Sequence, residues 1–584
     1  MKKNRNLKKS TFVKGTFIMT LGIIITKLLG ILYVIPFHAI IGEEGGALYG
    51  YAYTIYLFFM SISTAGIPLA ISNVVSEYQT LGYTNVKKRV FTLGKKISLI
   101  LSIVCFLIII LCAPLIASLI IGGVSGGNSI SDITFVIRVI GCAILIVPVL
   151  SVYRGYFEGH RFMDVVSVSQ VLEQLIRVLI IIFGSLIAVK VFKLDLKSTV
   201  GIALFGATIG AFVSYIYLVS KINKNKKKFN EKIRNVNEPI VTNKAIVRKI
   251  ITYAVPFIMI DLFKSLYNYI DMFEVVRGLT NVGLSTGDAE SIYSILSTWG
   301  NKFNMIILSI SSAIVINLIP NLTSNIIKKD FKSANSKVVQ ALNIILFLAI
   351  PITFGISFLS KPIWMLFYGK SVYGYDVLSY YIFVGLFIAL ATSMVTSLQC
   401  YKNYKWIFIS LFGGVFLKLL LNINLLVAFN KMGLPPYYGI ITATILGYFL
   451  TFIICMIVFH VKYKVNYEDT IKNFIDILCG SILMIFVLFL VKLIVPIYSD
   501  NRIFNIFIIL LYGFIGMITY FIYVYKILAF YSSLVSVLIY NFFFLEPIFS
   551  LKVHDSGNII TFTTITLPNA MYLPIEDGKK LKGS

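Results

Sequence analysis

The stretch SQVLEQLIRVLI at residues 169–180 sets Gln170, Glu173, Gln174 and Arg177 into an otherwise apolar run. Their i, i+3, i+4, i+7 spacing places all four on one face of a helix. Asp261, Lys264, Ser265 and Asn268 repeat that spacing, and Lys418 with Asn422 forms an i, i+4 pair. Lys27 stands within ITKLLG with no carboxylate on its own turn. The tally of four cations (Lys27, Arg177, Lys264, Lys418) against two carboxylates (Glu173, Asp261) favours an anionic ligand. Arg177 would grip a phosphate with its planar fork and the lysines would act as mobile point charges. Gln170, Gln174 and Asn268 add neutral donors to the substrate-binding set, while Glu173 and Asp261 are the candidates to bind a coupling proton or sodium ion. The competing reading pairs Glu173 with Arg177, and Asp261 with Lys264, as structural ion pairs within one helix.

The elements that must position these groups follow from composition. The 584 residues are 58% hydrophobic and only 13% charged, with a mean hydropathy of +0.88. Such a chain is an integral membrane protein. Apolar stretches able to cross about 30 Å of hydrocarbon recur along it. About fourteen can be drawn, at 15–41, 48–76, 90–122, 131–153, 164–191, 199–220, 250–273, 291–320, 338–368, 377–399, 406–429, 437–461, 471–497 and 503–527. The stripes therefore sit inside spans, where charges are expensive and usually face a polar interior. Lys27, Asp261 and Lys418 each fall about twelve residues from the basic end of their span, roughly 18 Å deep. A hydrated central cavity near the midplane is the expectation.

The net charge of +27 is distributed by topology. Lys87, Lys88, Arg89, Lys95, Lys96, Arg161, Lys328, Lys329, Lys402, Lys405, Lys462 and Lys464 fall on one set of connections, with KINKNKKKFNEKIR the richest. The other set is short or acidic, as in GEEGG, GGVSGGNS and YSDN. That asymmetry predicts a multi-pass protein of the bacterial cytoplasmic membrane with both termini cytoplasmic. Anionic lipid headgroups, and no nucleic acid, are the expected contacts of the basic side. Lys14, Arg138, Arg154 and Lys492 lie near span ends, where snorkelling accounts for them. Trp299, Trp364 and Trp406 read as packing or interfacial residues.

Six cysteines lie within spans without paired spacing and four histidines are scattered, so neither disulfides nor a metal centre is expected. No P-loop, nucleophile elbow or kinase set is present, and the acidic GDAES (287–291) is a poor catalytic loop. The expectation is a protein that is not an enzyme and needs no cofactor beyond a coupling ion or the membrane potential.

Internal repetition organises the spans. An offset of 244 lays YFEGHRF (156–162) on CYKNYKW (400–406), and one of 234 lays GIIITKLLGILY (22–33) on PFIMIDLFKSLY (256–267). AGIPLAISNVVSEY (65–78) matches INLIPNLTSNIIKK (316–329) in the same order. The expected fold is all-α, with two six-helix lobes in parallel pseudo-twofold repeat. The boundaries are a basic tail at 1–14, an N-terminal lobe at 15–221, a basic linker at 222–249, a C-terminal lobe at 250–463, two further helices within 464–528 and an atypical tail at 529–584.

YGYAYTIYLFFMSISTAGIPLAISNVVSEY (49–78) and YRGYFEGHRFMDVVSVSQVLEQLIRVLI (153–180) resemble the polysaccharide-transporter branch of the MATE-like (MOP) flippases, of the stage V sporulation protein B and Gram-positive MurJ types. The resemblance covers about residues 10–528 and implies V-shaped lobes, alternating access and export of undecaprenyl-diphosphate-linked sugars, lipid II foremost. It implies roles in peptidoglycan synthesis, cell shape or sporulation, and cell-wall synthesis proteins as partners. It also implies a cationic cavity for the diphosphate head and a groove beside the last two helices for the lipid tail. Lys27 stands where relatives carry an arginine in SRxLG, whereas Tyr33 stands where they carry a second one. SSLVSVLIYNFFFLEPIFSLKVHDSGNIITF (532–562) resembles part of the membrane domain of KdpD-type histidine kinases and carries no functional expectation. The alternatives are a flippase for another polysaccharide or spore-cortex precursor, a cation-coupled multidrug exporter, a membrane glycosyltransferase and a non-transporting scaffold.

Overall fold

The computed structural model describes residues 21–528 except 23–24, 65, 226–228, 230–237 and 239, together with 550–556 and 559–566. The basic tail at 1–14, most of the basic linker and most of the segment after 528 lie outside the described residues. Residues 25–32 form α1, which passes a turn at Tyr33 into α2 (Val34–Thr64). Then come α3 (Ile67–Leu81), α4 (Thr84–Ile121), α5 (Ile130–Gly159) and α6 (Met163–Leu179). A π-helical turn, Ile180–Gly184, joins α6 to α7 (Ser185–Lys190), and α8 spans Leu196–Lys224. The second half begins with α9 (Asn243–Asn281) and α10 (Thr286–Ser294), which a π-helical turn at Ile295–Trp299 joins to α11 (Asn301–Ile327). It continues with α12 (Phe331–Phe358), α13 (Ser360–Phe367), α14 (Gly374–Cys400), α15 (Tyr404–Lys431) and α16 (Pro436–Tyr463). The last pair is α17 (Glu468–Lys492) and α18 (Arg502–Leu528). In the tail, β1 (Ser550–Ser556) and β2 (Ile559–Thr566) pair antiparallel, Val553 opposite Phe562.

Twelve helical stretches among the described residues are long and apolar enough to cross a membrane. One of them, Val34–Leu81, contains a break at Gly42 (φ 64°, ψ −163°), so two passes share it. α9 runs between the same two ends: Asn243 accepts from Arg89 at one, and Arg277 packs on Gly122 at the other. The helices follow in the order the sequence leads one to expect. The chain is a multi-pass membrane protein.

Local signals set the ends of these helices. The side chains of Ser129, Asp195, Thr242, Ser285 and Asp330 accept backbone N–H bonds at the starts of α5, α8, α9, α10 and α12, satisfying donors that have no intrahelical partner. At the basic end the turns after α5, α11, α14 and α16 each hold a cation in the left-handed region: Arg161, Lys329, Lys402 and Lys464, with φ of 54–62°. Glycine would adopt that conformation more cheaply. These four turns spend some strain to carry positive charge.

In the first lobe α5 packs against α2, α3, α4 and α8, and α6 lies on α8. In the second, α16 packs on α14 and α15, α11 on α12 and α14, and α9 on α15. Gly414 and Gly447 bring α15 and α16 together so closely that a Cβ on Gly414 would lie 2.5 Å from the Gly447 carbonyl. Small residues at such crossings let backbones approach where lipid offers no hydrophobic drive. The outward face of α4, with Ile100, Val104, Leu107, Leu111 and Leu115, is exposed and apolar, as a lipid-facing surface must be. α17 lies on α12, and α18 on α13 and α17.

Two regions join the lobes. The first half of α9 docks on the first lobe at the basic end, through Lys249–Glu77 at 2.5 Å and the close approach of Gly66 to the Ala254 carbonyl. At the acidic end α2 meets α10 and the π turn before α11. Tyr51 stacks on Tyr293 at 4.5 Å, Thr298 donates to the Gly46 carbonyl at 3.1 Å, and Glu43 accepts from Ser291 and Ser371. The glycine-rich loop 122–129 completes this end: Thr286 donates to the Ser125 carbonyl at 2.7 Å, and the Glu290 carboxylate accepts from the Asn128 amides. The GDAES segment therefore works as a lobe-to-lobe clasp.

Trp299, 0% exposed, fills the centre of that contact against Phe37, His38 and Tyr368, and a Cβ on Gly46 would lie 2.2 Å from its Nε1. Trp299→Ala should cost about 3–5 kcal/mol of stability, read as a lowered unfolding temperature in detergent. Exposed Trp406→Ala, on α15, should change it little.

Candidate functional site

α6 presents the stripe that the spacing predicts, and the fold supplies a partner the sequence does not reveal. Glu173 is held between two guanidiniums: Arg177 at 2.8 Å on its own helix and Arg154 of α5 at 2.7 Å. Arg154 also donates to Ser169 at 3.0 Å and to Ser214 of α8 at 3.2 Å. Snorkelling is thus the wrong account of Arg154, whose charge is turned inward and fixed by three hydrogen-bonding atoms on two helices. Glu173, expected as a coupling-ion site, has each of its oxygens engaged by an arginine. Gln174 points its amide at α1, 3.6 Å from where a Cβ on Gly30 would sit. The Gln170 Oε1 is buried without a partner among the described residues.

Arg177 looks from α6 toward α2. It lies beside Tyr49, Tyr53 and Tyr56, while its Nε is buried with no hydrogen-bond partner among the described residues. From the second lobe Lys302, at the start of α11, approaches the same region: it donates to the Tyr33 hydroxyl at 3.3 Å and lies 5.3 Å from that ring's centroid. Arg177 and Lys302 are close enough to repel each other. Two turns further along α11, Ser309 accepts from Lys27 of α1 at 3.0 Å. Arg177 of the first lobe and Lys302 of the second therefore approach one another, with tyrosines on α2 beside them, and Lys27 meets α11 two turns further along. Both π-helical turns adjoin this group, one directly after α6 and one directly before α11. Such turns rotate the following helix face and recur at functional sites.

Lys302 escaped the sequence reading. Its signal was present: a lysine inside the eighth span with no carboxylate within a turn, the criterion that singled out Lys27. It stands over Tyr33, the position where the family resemblance expects an arginine, so a cation missing from α1 is provided by α11.

The remaining candidates lie elsewhere. Lys418 is 0% exposed inside the second lobe, donating to Asp271 of α9 at 2.6 Å and to Thr444 of α16 at 2.8 Å. Asn422 donates to Glu274 at 2.9 Å. Asp271 and Glu274 were not among the predicted groups, because the seventh span had been drawn to end near them. Lys418 thus has a carboxylate across the helix interface, and its charge is neutralised within the lobe. Lys264 lies 3.7 Å from Asp261, both partly exposed on α9, and Asn268 is exposed on the same helix. Ser265 shares a hydrogen bond with Ser61 of α2 at 3.0 Å, so this stripe faces the lobe junction at one point.

Helix ends also correct the repeat register. α6 starts at 163 and α15 at 404, and the left-handed turns before them are at 161 and 402, an offset of 241. At that offset Arg177 corresponds to Lys418, a pairing that the aromatic match at 244 concealed. Among the described residues no group of three or more His, Cys, Asp or Glu could hold a metal ion.

Residues 12–323 match the polysaccharide biosynthesis protein family, and residues 478–567 match a domain of unknown function, DUF4118. The lipid II flippase MurJ of Bacillus subtilis (strain 168) is 33% identical over 481 residues, covering 81% of this chain and 87% of that protein. Stage V sporulation protein B of the same organism is 24% identical over 349 residues, 58% of this chain and 63% of that protein. Among solved structures, lipid II flippase MurJ in an inward closed conformation superposes with a TM-score of 0.61 at 16% identity, over 89% of this chain and 100% of that one. An inward-facing MATE-family multidrug transporter of the MOP superfamily gives 0.56 at 14% identity, over 75% and 94%. The MurJ and MATE relatives are flippases and transporters, and the shared fold is that of MurJ and MATE proteins.

The Lys418–Asp271 pair gives a direct test of the site's partition. Lys418→Met alone should destabilise by roughly 3–5 kcal/mol, because it leaves a buried carboxylate uncompensated. Adding Asp271→Leu should recover most of that loss, as read by thermal unfolding of the detergent-solubilised variants.

Proposed function

The chain belongs to the polysaccharide biosynthesis protein family, and from that premise we propose that it is a flippase for an undecaprenyl-diphosphate-linked sugar, most simply the peptidoglycan precursor lipid II. The observation that carries the reading is the approach of Arg177 and Lys302 from opposite lobes, with Lys27 bonded two turns further along α11. A diphosphate between them would replace its water shell with charge-assisted hydrogen bonds, Arg177 through its fork and the lysines as point charges. Because the ligands come from two lobes, binding the head would draw the lobes together, and release would let them part. The tyrosines on α2 give this region apolar walls with polar tips, suited to a sugar head.

By the positive-inside tendency, the basic α3/α4, α5/α6 and α14/α15 turns would lie on the cytoplasmic side. In that orientation the clasp formed by Glu43, Glu290, Trp299 and loop 122–129 closes the outer face. The substrate would enter from the cytoplasm and leave when the clasp opens. Moving negative charge outward from an inside-negative cell is downhill by roughly 2.3 kcal/mol per charge per 100 mV. That drive requires no coupling ion. Of the two carboxylates considered for ion coupling, Asp261 is the freer, since Glu173 is shared by two arginines.

Cells depleted of their own lipid II flippase and supplied with this protein should expose lipid II at the outer leaflet. Arg177→Ala with Lys302→Ala should reduce that signal at least about tenfold at normal protein levels. Full exposure by the double variant would sink the site assignment. No exposure by the wild type, despite correct insertion, would move the search to another polyprenyl-linked glycan. Ser125→Cys with Thr286→Cys, bridged by a short thiol cross-linker, should hold the clasp shut and stop flipping. A cleavable linker should restore flipping on reduction.

A further inference from the structure

Arg154, Glu173 and Arg177 form a chain of alternating charge: a guanidinium on α5, a carboxylate on α6 bonded through one oxygen to it, and a second guanidinium bonded through the other oxygen. Each of the three side chains is at most 16% exposed. A carboxylate carries one negative charge, so it can balance one of these arginines and not both. Arg154 is the better held of the two: besides Glu173 it donates to Ser169 and Ser214, and those two hydroxyls are hydrogen-bonded to each other at 2.7 Å. Arg177 keeps an unpartnered Nε and faces Tyr56 and Lys302.

We propose that Arg154 is a positioning residue for the anionic head, acting through Glu173: it takes up the charge of that carboxylate and so leaves the charge of Arg177 free for the substrate. This rests on the reading of Arg177 as a diphosphate ligand. In a chain without Arg154, Glu173 would neutralise Arg177 entirely, and an incoming diphosphate would compete with a carboxylate 2.8 Å from its own ligand. With Arg154 in place the triad presents a net single positive charge toward the lobe junction. Glu173 then has a purely geometric task, fixing one face of the Arg177 fork while the other stays available. The second lobe makes the contrast: Lys418, which corresponds to Arg177 in the repeat, pairs with Asp271 and has Glu274 beside it, so no positive charge is left over there.

The test separates charge from geometry. Full-length protein in lipid nanodiscs is titrated with undecaprenyl diphosphate as the probe, for wild type, R177A, R154Q, R154K, E173Q and R154Q/E173Q, with unfolding temperatures measured alongside. R177A should weaken binding at least about tenfold, and R154Q should do so by about tenfold. R154K, which keeps the charge, should stay within about threefold of wild type. R154Q/E173Q should bind within about threefold of wild type, although it has lost one ion-pair partner more than R154Q, because the glutamine oxygen still accepts from Arg177 without cancelling its charge. E173Q alone should bind more tightly than wild type, a gain that damaged packing does not produce. A double variant as weak as R154Q, or an E173Q no tighter than wild type, at unchanged unfolding temperature, overturns the proposal. Normal binding by R177A overturns the diphosphate reading of that residue, and the proposal with it. R177A weak with the double variant unrescued leaves the diphosphate reading standing and removes only the role of Arg154. If R154Q does not fold, the sign of the E173Q effect decides alone.

Discussion

The cost of holding a charge away from water is the constraint on which the rest of this structure depends. An ion buried in an apolar medium loses several kcal/mol of hydration, which only a partner of opposite sign and good geometry offsets. Both lobes obey that rule at equivalent positions and reach different results. In the second lobe Lys418 meets Asp271, with Thr444 completing its donors and Glu274 beside it, so no positive charge is left over. In the first, two arginines share Glu173 and a unit of positive charge is left over. That surplus is tolerable only where something outside the lobe can meet it. It lies at the junction with α1 and α11, where Lys27 and Lys302 add charges of the same sign. Like charges gathered from two bodies push those bodies apart, and an anion between them reverses the force.

This makes the contacts that hold the lobes together as important as the cations that separate them. α9 belongs to both lobes: its first half docks on α3 and α4, its second half supplies Asp271 and Glu274 to α15, and Pro256 lies between. Proline inside a helix removes a backbone hydrogen bond and favours a bend. A strap with a bend at its middle lets one end stay fixed while the other moves. The acidic-end clasp is of another kind, built from Glu43 and Glu290 bonded to hydroxyls and amides rather than to cations. Neutral hydrogen bonds are individually modest, about 0.5–1.5 kcal/mol net, and about twice as much when one partner is charged. A contact made of several such bonds around a buried tryptophan can hold one state and still be broken in a cycle.

How much of this the sequence discloses depends on the range of the interaction. The stripe 170–177 is legible because helical periodicity is local, and the membrane-spanning helices are legible because bilayer thickness sets a length that hydropathy reports. Arg154 was misjudged because its meaning lies in a contact with Glu173, nineteen residues and a turn away. Near a span end, snorkelling is the sounder guess for an arginine seen alone. Lys418 looked unpaired for the same reason: Asp271 is 147 residues distant. The repeat was found from aromatic likeness, yet its true register is carried by helix starts and left-handed turns, which the pattern of rings does not fix. Three residues of error hid the equivalence of Arg177 and Lys418.

The equivalence matters because it shows what the two halves have done with one ancestral geometry. Position 177 and position 418 both offer a cation to the middle of the bilayer on the fifth helix of a lobe. A transporter that alternates between faces needs one lobe to hold the cargo's charge and another against which it can move. If both lobes presented surplus charge, their repulsion in the empty state would have to be overcome at every return step. If neither did, the diphosphate would face an uncompensated loss of hydration of several kcal/mol. A cationic surplus confined to one lobe avoids both difficulties. Lys27 and Lys302 are each hydrogen-bonded to a hydroxyl across the junction rather than to a carboxylate, so the protein retains both cations without strong pairing.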